Sequence, residues 1–237
     1  MRLAILAAAA LGSAATAQAA ELNEVLACNY ETMGGLENIQ AVESARMTGT
    51  MTMGPMQAPF KIEFQKPDRV RMEFEIQGMT AALAYDGETG WATIPFMGKT
   101  DPEEMAEDEL KSIQEMAEWE GPLVNWQEKG HNVELVGTED IEGTEAYALK
   151  VVRSGSEDES VFYLDTEYCL PFLSKGTRDI QGNEMAVSTT IGDYKEVGDI
   201  VDGTQCQRYH GGSFLDADRT GSANRNAVTV ARRPLGE

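Results

Sequence analysis

The sequence predicts a mainly β protein with a few helices (α+β), built on an open antiparallel sheet. Three observations carry that expectation. Phe60, Ile62 and Phe64 alternate with Lys61, Glu63 and Gln65, and after Pro67-Asp68 the pattern resumes. Val70, Met72, Phe74 and Ile76 then alternate with Arg71, Glu73 and Glu75. Successive side chains of a strand point to opposite faces, so each run has one apolar and one polar face. Two such runs joined by a short turn read as an antiparallel hairpin. The third observation is that short alternating runs recur along most of the chain while helical periodicity is confined to a few places.

The elements follow in order. Arg2, the apolar run Leu3–Leu11 and the small residues Ala15-Thr16-Ala17 and Ala17-Gln18-Ala19 have the layout of a secretory signal peptide over residues 1–20. Its apolar core is far short of the ~20 residues that span a bilayer, and no later segment is longer, so the expected protein is exported to the periplasm and does not span the membrane. Leu22–Met33 reads as an amphipathic helix that Gly34-Gly35 ends. A short helical turn at Leu36–Val42 precedes strands at Ala45–Met53, Phe60–Lys66, Arg69–Gln77, Thr80–Tyr85 and Gly90–Phe96, with a turn at Asp86-Gly87.

Asp101-Pro102 reads as the start of a helix reaching about Trp119, with Asp101 as N-cap and Glu103 and Glu104 at the positive end of the dipole. Leu110, Ile113, Met116 and Ala117 form its apolar stripe, and Glu104, Glu107, Asp108, Glu115 and Glu118 a solvated acidic face. Further strands are expected at Asn132–Glu139, Tyr147–Arg153, Val161–Asp165, Pro171–Asp179 and Glu184–Val197. From Asp199 lysine vanishes, arginine accumulates, and alternation survives only at Val228-Thr229-Val230. Residues 21–198 therefore read as one domain and 199–237 as an atypical, disordered tail. So abrupt a shift also fits a shifted reading frame.

Composition narrows function. The 237 residues carry 40 acidic and 19 basic side chains, a net charge of -21, which opposes binding to nucleic acid or anionic lipid surfaces. The three cysteines, Cys28, Cys169 and Cys206, allow one internal bridge, and spacing leaves the pairing open. His131 and His210 are the only histidines, and neither has metal-ligand spacing; His131 reads as a turn or surface residue. GxSxG, Walker and GxGxxG patterns are absent, so no nucleophile, general base, metal or cofactor is nominated and no enzyme is expected.

The positive signal is methionine, which is flexible, polarisable and suited to ligands of varied shape. Met47, Met51, Met53, Met72 and Met116 fall on the apolar faces. An antiparallel sheet with one apolar face and one helix across it leaves a groove, or an apolar cavity if the sheet curls. Met47, Met51, Met53, Phe60, Ile62, Phe64, Val70, Met72, Phe74 and Ile76 are expected to line it, with Leu110, Ile113 and Met116 as the lid contact.

The stretches MGGLENIQAVESARMTGTMTM, PFKIEFQKPDRVRMEFEIQGMTAALAYDGETGWATIPFMGKTDPEEM, GPLVNW, YLDTEYCLP and GDYKEV resemble the outer-membrane lipoprotein-sorting (LolA-like) proteins of the bacterial envelope. The likeness spans roughly Leu22 to Val197. It implies an open antiparallel β-barrel with a helical lid over an apolar cavity for lipid or lipoprotein acyl chains. It implies no catalysis. Relatives continue after the last stretch with further strands that include a Phe-Pro pair; Gly198–Glu237 departs from that pattern, which would leave a sheet edge bare. The expected function is a periplasmic lipid or lipoprotein carrier, with an envelope sensor that binds a protein partner through the same fold as the alternative.

Overall fold

The computed structural model describes residues 7–53, 56–180, 183–210 and 226–231. The architecture is two antiparallel sheets, and they do not close into a barrel. The first has seven strands, in the order β13-β1-β2-β3-β4-β5-β6. These are β1 (Ser44–Met53), β2 (Met56–Gln65), β3 (Arg69–Ile76), β4 (Met79–Tyr85), β5 (Gly90–Ile94), β6 (Lys99–Glu104) and β13 (Asn226–Ala231). The second has six, in the order β12-β11-β10-β9-β8-β7. These are β7 (Asn132–Ile141), β8 (Thr144–Val152), β9 (Glu159–Asp165), β10 (Pro171–Ile180), β11 (Asn183–Val197) and β12 (Ile200–His210). Every connection within a sheet except that to β13 is between neighbours in sequence, as short turns dictate.

The founding hairpin forms in the register its pattern requires. Phe60 faces Phe74, Ile62 faces Met72 and Phe64 faces Val70 across β2 and β3. On the opposite face Glu63 pairs with Arg46 at 2.7 Å, and Lys61 bridges Glu63 at 3.3 Å and Glu73 at 3.1 Å. A one-residue slip would bury this charged row, so both faces enforce one register. Asp86 makes the next turn by accepting the amides of Glu88 and Thr89 at 2.9 and 2.8 Å.

Among the described residues three α-helices pack around the sheets. α1 (Ala7–Thr32) sets Leu22, Val25 and Leu26 against Val133, Leu135, Leu149, Val151 and Leu164 of the second sheet. α2 (Leu36–Gln40) buries Ile39 beside Val42, Val124 and Ile200. α3 (Glu107–Ala117) lies over β3, β4 and β5 of the first sheet. Cys28 on α1 is bridged to Cys169, with 5.9 Å between Cα atoms. Asp165 shapes the turn that presents Cys169, accepting the amides of Glu167, Tyr168 and Leu170. The buried Asn29 amide then donates to the Cys169 carbonyl at 2.8 Å, and the Gln18 amide to the Leu135 carbonyl at 2.7 Å, so the bridge and two hydrogen bonds fix α1 to the second sheet.

Three expectations are corrected. The first is the single curled sheet, which is instead two sheets, with β12 and β13 lying side by side. The second is the helix start. Lys99–Glu104 is strand β6, paired with β5, and Asp101 does not cap a helix. α3 begins beyond it, where the Glu109 carboxylate accepts the Ala106 amide at 3.1 Å. Pro102 is tolerated because β6 is an edge strand.

The third correction concerns the segment from 199 onward. Ile200–His210 is a strand on β11, with Ala186 opposite His210 and Val197 opposite Ile200. Asn226–Ala231 pairs with β1. β11 therefore is not left bare. The chain is held there by backbone contact: the Val201 amide donates to the Met33 carbonyl at 2.9 Å. Gly34 makes the approach possible, since a Cβ on it would sit 2.6 Å from the Asp199 carbonyl oxygen. Its φ of +102° also suits glycine alone. Residues 211–225 and 232–237 of the expected tail, and the first six residues of the expected signal peptide, lie outside the described residues.

Candidate ligand-binding hollow

Strand alternation delivers the apolar face of the first sheet to one core. Phe60, Ile62, Phe64, Val70 and Ile113 are buried in it, and Met47, Met51, Met72, Phe74, Leu110 and Met116 pack against it. α3 supplies its Leu110, Ile113 and Met116 stripe to this same cluster. Gly90 leaves room for that contact, because a Cβ there would meet Met105 Sδ at 2.8 Å and Leu110 Cδ1 at 3.0 Å. The structure thus brings eleven of the thirteen expected residues together. Ile76, at the far end of β3, is half-buried and outside the cluster, and the Met53 side chain lies outside the described residues.

Being together is not the same as lining a cavity. A hollow of about 290 Å³ lies between the two sheets, and among the thirteen only Met47, Ile62, Phe64 and Met116 border it. Its other wall comes from the second sheet through Ser160, Phe162, Ser174, Val187, Thr189 and Ile191. A smaller space of about 140 Å³ shares Met47, Phe64, Trp119, Phe162, Ile191 and Gln205 with it. Phe60, Val70, Phe74 and Ile113 border neither, since α3 covers their part of the sheet. The methionine signal pointed only to the first sheet. The alternation of β9 and β11 was the available sign of a second wall. A hollow near 300 Å³ is at the small end of ligand pockets, so it suits one chain-like guest.

A polar cluster centred on Glu118 borders the hollow. Its Oε1 receives Lys129 Nζ at 2.9 Å and His131 Nε2 at 2.8 Å, and its Oε2 receives Arg153 Nε at 3.2 Å. Burial alone would raise the carboxyl, but Lys129, His131 and Arg153 outweigh it and hold the group below the usual carboxylate range. His131 Nδ1 accepts the Ser154 amide at 3.0 Å, so the neutral ring donates from Nε2. Glu118 and His131 were expected as solvated surface and turn; their side chains are only 13% and 8% exposed. Single residues far apart in sequence gave no signal of this cluster.

Trp119 is next to that hub. It borders the hollow, the smaller space, and a separate polar cleft of about 380 Å³ that Glu118, Lys129, His131 and Arg153 also line. Its Nε1 is the one buried side-chain nitrogen or oxygen without a hydrogen-bond partner among the described residues. An orphaned donor of this kind costs about 1–3 kcal/mol.

The smaller space carries a second polar feature. Asp202 borders it, and burial pushes its carboxyl up to about 6 despite an amide bond from Gly203 at 2.9 Å. Tyr194 also borders it and donates to the Pro171 carbonyl, its hydroxyl pushed up by burial. Among the described residues no group of three or more His, Cys, Asp or Glu is placed to hold a metal, and no helix is long and apolar enough to cross a membrane.

Two open antiparallel sheets with a hollow between them define a LolA-like fold. Two solved structures share it at TM-scores above 0.5. A LolA superfamily protein (NE2245) from Nitrosomonas europaea superposes with a TM-score of 0.51 at 9% identity, over 81% of this chain and 90% of that one. A DUF1329 family protein from Desulfovibrio piger gives 0.53 at 13% identity, over 85% and 90%. A putative outer membrane lipoprotein-sorting protein domain from Vibrio parahaemolyticus gives 0.47 at 13% identity, over 84% and 91%. No protein-family model and no curated protein matches the sequence. The likeness is therefore one of fold.

Proposed function

We propose that this protein is a periplasmic carrier that holds an acyl chain of a lipid or lipoprotein between its two sheets, after export and removal of the signal peptide. The observation that carries this reading is the hollow of about 290 Å³ bounded by Met47, Ile62 and Phe64 on one side and Phe162, Val187 and Ile191 on the other. α3 flanks the hollow and does not cover it: Met116 joins the apolar stripe under the helix to the space beside it. Such a role requires no catalysis and no cofactor. The net charge of -21 keeps the carrier in solution and away from anionic membrane surfaces.

Acyl burial contributes roughly 0.8 kcal/mol per CH₂. A twelve-carbon chain could supply up to ~10 kcal/mol, against association and ordering terms of comparable size. Binding would then be modest and reversible, as transfer demands. Thr189→Trp and Ser174→Trp fill the hollow from partly exposed positions on the second sheet. Uptake of a fluorescent fatty acid should fall at least about tenfold in these variants, with thermal unfolding little changed. Undiminished uptake by a folded, filled variant would remove the hollow from the account.

A further inference from the structure

We propose that the hollow selects a single-chain amphiphile with an anionic oxygen head, and that Trp119 and Arg153 hold that head at the mouth. The inference rests on the carrier reading and specifies its guest. Trp119 borders the hollow, the smaller space and the polar cleft, and Arg153 borders the hollow and the cleft, so a guest whose tail lies between the sheets presents its head to both residues.

Each of the two residues has unused donor capacity. Trp119 Nε1 is buried without an acceptor. Arg153 donates to Glu118 through Nε alone, and its two terminal nitrogens make no hydrogen bond among the described residues. A guanidinium with its fork free is matched to the paired oxygens of a carboxylate or phosphate.

The local charge agrees. The charged residues bordering the hollow are Glu118, Arg153 and Lys175. Glu118 is already engaged by Lys129, His131 and Arg153. Lys175 contributes to the rim through its place in β10, but its ammonium lies 5.5 Å from the centre of the Tyr163 ring, on the face of the second sheet opposite Ser174 and Phe162. Within a chain of net charge -21, the charged groups facing the hollow are therefore one committed carboxylate, Glu118, and one guanidinium with its fork free, Arg153. A neutral alcohol would satisfy neither the guanidinium nor the local charge.

The test is a titration of the purified full chain with hexadecanoate, lysophosphatidic acid and hexadecanol, read by displacement of a fluorescent probe and by calorimetry. Both acids should bind at least about tenfold more tightly than the alcohol. Whichever acid binds more tightly identifies carboxylate or phosphate as the preferred head. Arg153→Gln should bring the acids down to the affinity of the alcohol and leave the alcohol within about twofold. Trp119→Phe should weaken the acids about fivefold with the same indifference to the alcohol. Lys175→Gln, a charge removed from the opposite face of the same sheet, should leave the preference unchanged. If Arg153→Gln and Trp119→Phe both fold and keep the wild-type preference, or if the wild type binds acid and alcohol equally, the head site is wrong while the carrier reading stands. If the wild type binds none of the three, the carrier reading itself fails.

Discussion

At the scale of single residues, the chain places two carboxylates in opposite electrostatic situations. Asp202 is raised to about 6 by burial, so the folded chain holds its proton more tightly than the unfolded chain does. Its contribution to stability is fully present below the ordinary carboxylate range, near 4, and is lost as pH rises through about 6. Asp202→Asn should therefore be more stable than the wild type at pH 7.5, by on the order of 2 kcal/mol, and the difference should vanish below about pH 4. Chemical denaturation at several pH values measures this directly. A pH-independent difference would show that the carboxyl is not buried.

Glu118 is the reverse case. Its pKa is lowered, so its contribution is present above the ordinary carboxylate range and is lost as acid titrates it. Glu118→Gln keeps the shape and removes the charge facing Lys129 and Arg153. The variant should lose about 1–2 kcal/mol at pH 7, with the gap to the wild type closing in acid. The cluster matters because Arg153 and Trp119 at the mouth are positioned through it and its chain neighbour.

At the scale of elements, the disulfide and the Gly34 crossing hold the second sheet to the helices. The Cys28–Cys169 bridge closes a separation of 141 residues. Cys28→Ala with Cys169→Ala should lower stability by about 3–5 kcal/mol, measured against the oxidised wild type. Gly34→Ala should push the start of β12 away from α1, because the new Cβ meets backbone at Asp199 and Ile200. Hydrogen exchange at the Val201 amide, bonded to the Met33 carbonyl, should speed up in that variant more than at the centre of β8. Equal protection throughout would mean that the crossing does not pin β12.

Most strands could be read from the sequence because their alternation was clean, as in Phe60–Phe64 and Val70–Ile76. The failures have specific physical causes. Asp101-Pro102 followed by two glutamates imitates a helix start, yet pairing with Trp91–Ile94 makes that stretch an edge strand. Local propensity lost to tertiary pairing there. In Ile200–His210 the pattern is blurred by Asp202, a buried carboxyl that breaks the apolar series. The disulfide pairing could not be read, since it depends on where α1 lands on the second sheet.

At the scale of the whole molecule, the expected site was half legible. The alternating runs identified an apolar face correctly, and α3 then consumed much of it as core. The hollow lies instead where the uncovered part of that face meets β9, β10, β11 and β12. Which part is uncovered depends on the helix length. At 1.5 Å per residue, the 11 residues of α3 extend only about 17 Å, too little to cover seven strands set about 4.8 Å apart. A helix that short leaves space beside it, and two sheets that do not close keep that space open to solvent.

The most direct measurement is a crystal structure of the chain grown with a sixteen-carbon fatty acid. The account predicts one molecule per chain, its carbons between Phe64 of β2 and Phe162 and Ile191 of the second sheet, and its carboxylate beside Arg153. A well-occupied fatty acid bound elsewhere on the surface, with the space between the sheets filled by the protein's own side chains, would contradict it.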